Sequence, residues 1–120
     1  MRDYTKLRAF VLADEIALCI YRITKGFPKE EVFGLTSQMR RSCISVPSNI
    51  VEGSARLTIA DYRRFIEIAY ASLKELHYQF SLAERLGYIE NPIATEVNGK
   101  ILEAEKVLGS LLQALWKKNF

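Results

Sequence analysis

The side chains able to attack, move protons or hold a metal are few in this sequence. His77 is the one histidine. It falls on a helical segment beside an apolar stripe, where a hydrogen-bonded, partly buried imidazole is the expectation. A zinc site needs three or four Cys, His or carboxylate ligands at matched spacing, and Glu84, a turn or two along, does not complete one. Cys19 and Cys43 are isolated thiols set among apolar residues at helical spacing. They match neither a CxxC pair nor a disulfide framework, and read as buried, reduced cysteines. The pairs Glu30-Glu31 and Glu103-x-Glu105 stand in no apolar setting that would shift their proton affinity, so they read as solvated surface. No GxxxxGK[ST] or GxGxxG follows a strand. The Arg-to-His spacing of the helical HEPN ribonucleases would need an Arg within 70–72, where the sequence is Tyr70-Ala71-Ser72. The expectation is a non-enzymatic chain without metal or cofactor.

Arginine is the residue type that clusters. The chain has 120 residues, with 17 Lys and Arg against 14 Asp and Glu, a net charge of +3. Between Arg40 and Arg64 stand Arg40, Arg41, Arg56, Arg63 and Arg64, no Lys, and only Glu52 and Asp61 as acids, so that this window carries the whole excess. Two readings are open. In one, the five arginines line a patch for nucleic-acid phosphate. In the other, they form a salt-bridge and hydrogen-bond network within or between subunits, with Arg41 to Glu52 as one link and Glu67 partly neutralising Arg63 one turn away. Asn49, Glu52 and Glu75 are assigned to orienting the arginines or joining subunits. Arg40 projects toward Ile44, Pro47 and Val51 on a mixed edge, and if occluded it needs a carboxylate or phosphate partner.

Four segments with the helical period must position these residues. The first, about 5–25, has one series at Phe10, Ala13, Ala17 and Ile20 and a second at Leu12, Ile16, Cys19 and Ile23. Two stripes need two neighbours, one of which could be another subunit or protein. Gly26 and Phe27-Pro28 end it. The second, about 35–55, contains Pro47, which predicts a kink near Cys43 to Pro47 or a break there. Ser37, Arg41, Ser45, Ser48, Asn49, Glu52 and Arg56 share its polar, mostly small-residue face, which lets a helix, subunit or ligand approach closely. The third, about 59–86, opens at Thr58 as a cap and carries Tyr62, Phe65, Ile66, Ala69, Leu73, Leu76, Phe80 and Ala83. The fourth, about 92–117, follows Asn91-Pro92 and steps through Val97, Ile101, Ala104, Leu108, Leu111 and Leu115, the spacing of a left-handed bundle. The last two joints are short. Together these predict one all-α domain over 1–120, an antiparallel up-down-up-down four-helix bundle.

No run of about 20 apolar residues suits a membrane span, and the start, interrupted by Asp14 and Glu15, lacks a secretory pattern. A cytoplasmic protein is expected.

Three blocks carry a family resemblance: Phe27-Pro28-Lys29-Glu30-Glu31, Gly34-Leu35-Thr36-Ser37-Gln38-Met39-Arg40-Arg41, and Val46-Pro47-Ser48-Asn49-Ile50-Val51-Glu52-Gly53. With Arg56, Tyr62, Phe65, Ala69, Ser72-Leu73, Glu75-Leu76 and Leu86-Gly87-Tyr88, the chain resembles the bacterial four-helix bundle family named for proteins encoded in intervening sequences of 23S ribosomal RNA. That resemblance implies a cyclic homopentamer related to the accessory variability protein of diversity-generating retroelements, a basic pentamer that binds nucleic acid and a reverse transcriptase. A ring of five copies would carry about +15. The expected function is an oligomeric scaffold or adaptor that binds RNA through the arginines; the alternative is a protein-interaction module whose partner covers the second stripe of the first helix.

Overall fold

The computed structural model describes residues 2–118, and among them there are four long helices and no strand. Asp3 opens the chain by accepting the Thr5 amide at 3.1 Å, and the turn it caps, Tyr4–Lys6, is a single 3-10 turn. The first α-helix, α1, therefore runs Arg8–Thr24 and begins later than its period suggested. A second short turn, Lys29–Glu31, leads into α2, Leu35–Ser54, which passes through Pro47 as one helix. Thr58 caps α3, Ile59–Arg85, by accepting the Asp61 amide at 3.1 Å. Gly87, at φ +83°, stops α3: the amide of Tyr88 returns to the Ala83 carbonyl at 3.0 Å, the left-handed helix exit that glycine permits. The last helix, α4, spans Asn91–Lys118.

Each helix packs on two others, α1 on α2 and α4, and α3 on α2 and α4, giving a closed four-helix square 47 Å long. Neighbours are antiparallel, since cross-helix pairs run in opposite senses: Ser42 meets Gln79 while Ser45 meets Ser72, and His77 meets Glu105 while Glu84 meets Asn98. All eight predicted residues of the α3 stripe are buried. The α4 stripe is buried as well, apart from Leu111, which is half-buried against the core.

The two stripes of α1 are both used inside the bundle. Leu12, Ala13, Ile16 and Ile20 are buried, and Phe10, Ala17, Cys19 and Ile23 pack partly covered against the same core. Of the second stripe, Leu12 and Ile16 are buried in the bundle, while Cys19 and Ile23 are half-buried beside a groove shared with Ile93 and Val97 of α4. The large apolar residues that α1 does expose are Val11, Leu18 and Tyr21. Cys43 is buried, with burial pushing its thiol up to about 12 against the opposing pull of Arg40, and Cys19 is half-buried.

Candidate nucleic-acid interface

One edge of the polar face of α2 meets α3, while Ser37, Ser48, Glu52 and Arg56 on that face are exposed. Ser45 and Ser72 share a hydroxyl contact at 2.8 Å, and the Asn49 amide donates back to the Ser45 carbonyl at 2.7 Å and hydroxyl at 3.0 Å. At Gly53 a Cβ would lie 2.9 Å from the Phe65 Cβ, so only glycine allows this close approach. The buried Ser42 hydroxyl donates to the Gln79 side-chain oxygen at 2.6 Å, and the Gln79 amide reaches Glu75 at 3.4 Å. Glu75 in turn accepts from Arg41 at 2.7 Å.

That chain settles two assignments. Arg41 pairs with Glu75 across the α2–α3 seam, and also donates to Gln38 at 2.9 Å; it does not pair with Glu52, which lies on the same exposed side of its own helix and forms no ion pair among the described residues. The helical alignment of Arg41 with Glu52 is real, but three turns separate them by about 16 Å. Arg40 turns instead into the α1–α2 groove. Its Nε donates to the Thr24 hydroxyl at 2.8 Å, its Nη2 to the Tyr21 carbonyl at 3.3 Å, and its guanidinium stacks on the Tyr21 ring at 4.7 Å. The partner it finds is neutral, and not the carboxylate expected for an occluded arginine.

The other three arginines gather where α2 hands over to α3, about 22 Å along α2 from Arg41. Arg56 lies over the Phe65 ring at 4.5 Å and Arg64 over the same ring at 5.3 Å. Arg63 does not turn to Glu67; its guanidinium covers the Trp116 ring at 3.7 Å. The antiparallel topology brings both ends of the chain to this joint. The Arg2 amide donates to the Ser54 carbonyl at 3.3 Å, its guanidinium donates to the Arg56 carbonyl at 2.8 Å and covers the Tyr62 ring at 4.1 Å. Burial pushes the Tyr62 hydroxyl up and Arg2 opposes the shift. Lys6 stands on the turn before α1, and Lys117 and Lys118 on the last turn of α4.

No ion pair joins Arg2, Lys6, Arg56, Arg63, Arg64, Lys117 or Lys118 to a carboxylate among the described residues. Ring quadrupoles attract a guanidinium without neutralising it, so the exposed Arg56 and Arg64 keep their charge, while Arg63 is half-buried with its Nη1 covered and without a hydrogen-bond partner. The five-arginine window is therefore split. Arg40 and Arg41 belong to the helix seams, whereas Arg56, Arg63 and Arg64 belong to a basic end completed by Arg2, Lys117 and Lys118. Sequence reasoning missed those three, although an up-down-up-down order already places both termini beside the α2–α3 joint.

His77 meets Glu105 at 2.8 Å, with Lys74 3.6 Å from the same carboxylate oxygen. The imidazole is partly buried and hydrogen-bonded as expected, with its partner on α4. Among the described residues no three His, Cys, Asp or Glu side chains are grouped to hold a metal, and no helix is long and apolar enough to cross a membrane.

Comparison with known proteins places the fold. A crystal structure from Bacteroides thetaiotaomicron, described as a protein of unknown function from the S23 ribosomal protein family, superposes with a TM-score of 0.79 at 24% identity, covering 88% of this chain and 95% of its own. No curated protein matches. The family model for the 23S rRNA-intervening sequence protein matches residues 5–110. With that match across nearly the whole bundle, the chain belongs to the 23S rRNA-intervening sequence protein family.

Proposed function

We propose that the protein is a non-enzymatic, self-associating helical scaffold that holds RNA by its phosphate backbone on the basic end of the bundle. The observation that carries the reading is the gathering of Arg2, Arg56, Arg63, Arg64, Lys117 and Lys118 at one end with no ion-paired carboxylate among the described residues. Such a surface favours a polyanion over a short acidic peptide, since backbone phosphates repeat with no sequence requirement.

Self-association is supported by a second surface. Val11 and Leu18 are exposed seven residues apart on α1, and Ile44, also exposed, stands seven residues before the half-buried Val51 on α2. With the register set by Arg40 and Tyr21, Leu18 lies level with Ile44 and Val11 level with Val51. A paired, seven-residue apolar seam on the outside of two helices suits another helix of a second copy, and the pentamer implied by the family resemblance would multiply the basic ends on one ring. A reverse transcriptase partner of the kind that resemblance implies has no separate surface in its favour here.

The test is binding of a labelled RNA hairpin at rising salt, with the mass of the native assembly measured alongside. The reading expects affinity to fall by orders of magnitude between about 50 and 200 mM salt, and expects Leu18→Glu with Ile44→Glu to reduce the assembly to the 13.8 kDa monomer. A parent protein that stays monomeric at tens of micromolar, or that ignores RNA at low salt, overturns it.

A further inference from the structure

At the opposite end of α2, the groove it makes with α1 opens into a cleft of about 580 Å³. The size falls within the range that takes a small organic ligand. Its polar lining includes Lys25, Lys29, Arg40 and Arg41, and no carboxylate. Tyr21, Phe27, Val32 and Ile44 supply apolar wall. Arg41 is already neutralised by Glu75, while no ion pair satisfies Lys25, Lys29 or Arg40 among the described residues. Arg40 is the telling one. It is partly buried, its partners are a hydroxyl, a carbonyl and a ring face, and it meets no counter-ion among the described residues. Held by neutral partners at the edge of the groove, its guanidinium keeps its full charge for an anion.

A second sign comes from Thr36, which also lines the cleft. It is 7% exposed and its hydroxyl has no hydrogen-bond partner, one of two such buried polar atoms among the described residues. The Glu31 carboxylate does not fill this role. It caps α2 by accepting the Leu35 amide at 2.9 Å and the Tyr88 hydroxyl at 2.9 Å, and it is not among the lining residues.

We propose that this cleft binds a phosphate monoester attached to a flat or apolar body, as in a nucleoside 5′-monophosphate, with Arg40, Lys25 and Lys29 on the phosphate and the Tyr21 and Val32 side chains against the base. Three uncompensated cations match a dianionic monoester better than a single carboxylate or an internal phosphodiester, each of which brings one negative charge. The same chemistry occurs in a free mononucleotide and at the 5′-phosphorylated end of an RNA strand. The site is separate from the basic end and does not depend on it.

The experiment titrates AMP, adenosine, inorganic phosphate and a pair of five-nucleotide RNAs, with and without a 5′-phosphate, into an Arg2→Ala, Arg56→Ala variant, so that loss of the basic end and loss of the cleft read separately. AMP is expected to bind about tenfold or more tightly than adenosine, the factor that one charge-assisted contact supports, and more tightly than inorganic phosphate. Lys25→Ala with Lys29→Ala, two exposed residues, is expected to weaken AMP about tenfold with unchanged thermal unfolding. Arg40→Gln is expected to weaken it further, and the lysine pair keeps the test valid if that variant unfolds. Preference for the 5′-phosphorylated RNA over its hydroxyl twin, together with AMP binding, assigns the strand end as a source; AMP binding alone assigns the free nucleotide. Adenosine bound as well as AMP, inorganic phosphate bound as well as AMP, AMP affinity untouched by the lysine pair, or no AMP binding at all would overturn the proposal.

Discussion

The two ends of α2 handle the same residue type in opposite ways. Near its start, Arg41 is tied to Glu75, and through Gln79 to the buried Ser42, so its charge is spent inside the α2–α3 seam. Past its end, Arg56 and Arg64 rest on the Phe65 ring with Arg2 and Arg63 on Tyr62 and Trp116 nearby, and no carboxylate answers them among the described residues. The difference teaches that a local excess of arginine is not one feature. What a guanidinium does depends on whether the neighbouring helix offers an acid or an aromatic face, and five arginines close in sequence divide on that criterion.

The largest effect that separates the two ends is on RNA affinity. Replacing Arg2, Arg56 and Arg64 together by Ala is expected to weaken RNA binding about a hundredfold at low salt and to flatten the salt dependence by about 0.7 to 0.9 for each phosphate no longer neutralised. Arg41→Ala is expected to leave both quantities unchanged. Filter binding over a salt series checks this, and equal effects of the two variants would erase the distinction between the ends.

Next in size are effects on stability along the seam. Gly53→Ala forces a methyl against Phe65 and Tyr62 and is expected to cost about 1–3 kcal/mol by overpacking, measurable by urea unfolding. Ser42→Val removes the donor to Gln79 and leaves a buried oxygen unpaired, at a cost of about 1–3 kcal/mol. The matching change in the cleft, Thr36→Val, should have the opposite sign. Its hydroxyl has no partner to lose, so the variant is expected to unfold at the same or slightly higher denaturant while binding AMP more weakly.

The smallest effect is a pH dependence at the start of α2. The Leu35 amide, followed by the Tyr88 hydroxyl, holds the Glu31 carboxyl below its ordinary value of 4.5. A depressed carboxylate stabilises the folded state fully above its unfolded value and loses that contribution as pH falls through the folded one. Glu31→Gln is therefore expected to narrow the stability difference between neutral pH and acid below about 4.5, as read by thermal melts across that range.

Much of the fold was legible because apolar spacing and the signals at Gly87 and Asn91-Pro92 are local properties of the chain; α1 stops at Thr24 without a left-handed glycine at Gly26. Pro47 left a break open as an alternative, yet the helix continues through it from Leu35 to Ser54; tertiary burial of Cys43, Val46 and Ile50 outweighs one missing backbone donor. The late start of α1 follows from Asp3, whose side chain tightens the first turn. The candidate site was only half legible. Arg56, Arg63 and Arg64 could be named, but their partners Phe65 and Trp116 and their companions Arg2, Lys117 and Lys118 come together through antiparallel closure. The Arg41 to Glu52 link failed for the complementary reason: helical periodicity aligns residues on one face but cannot say that an acid on the next helix stands closer.

The most direct measurement is a side-chain Nε–Hε spectrum of the arginines recorded while a short RNA hairpin is added. If the basic end holds the phosphate backbone, the Arg2, Arg56 and Arg64 signals shift progressively and saturate, and the Arg41 signal, held by Glu75, stays in place. A shift of Arg41 as large as that of Arg56, or no movement of the basic-end signals while RNA is bound, would contradict the division of the arginines on which the functional reading rests.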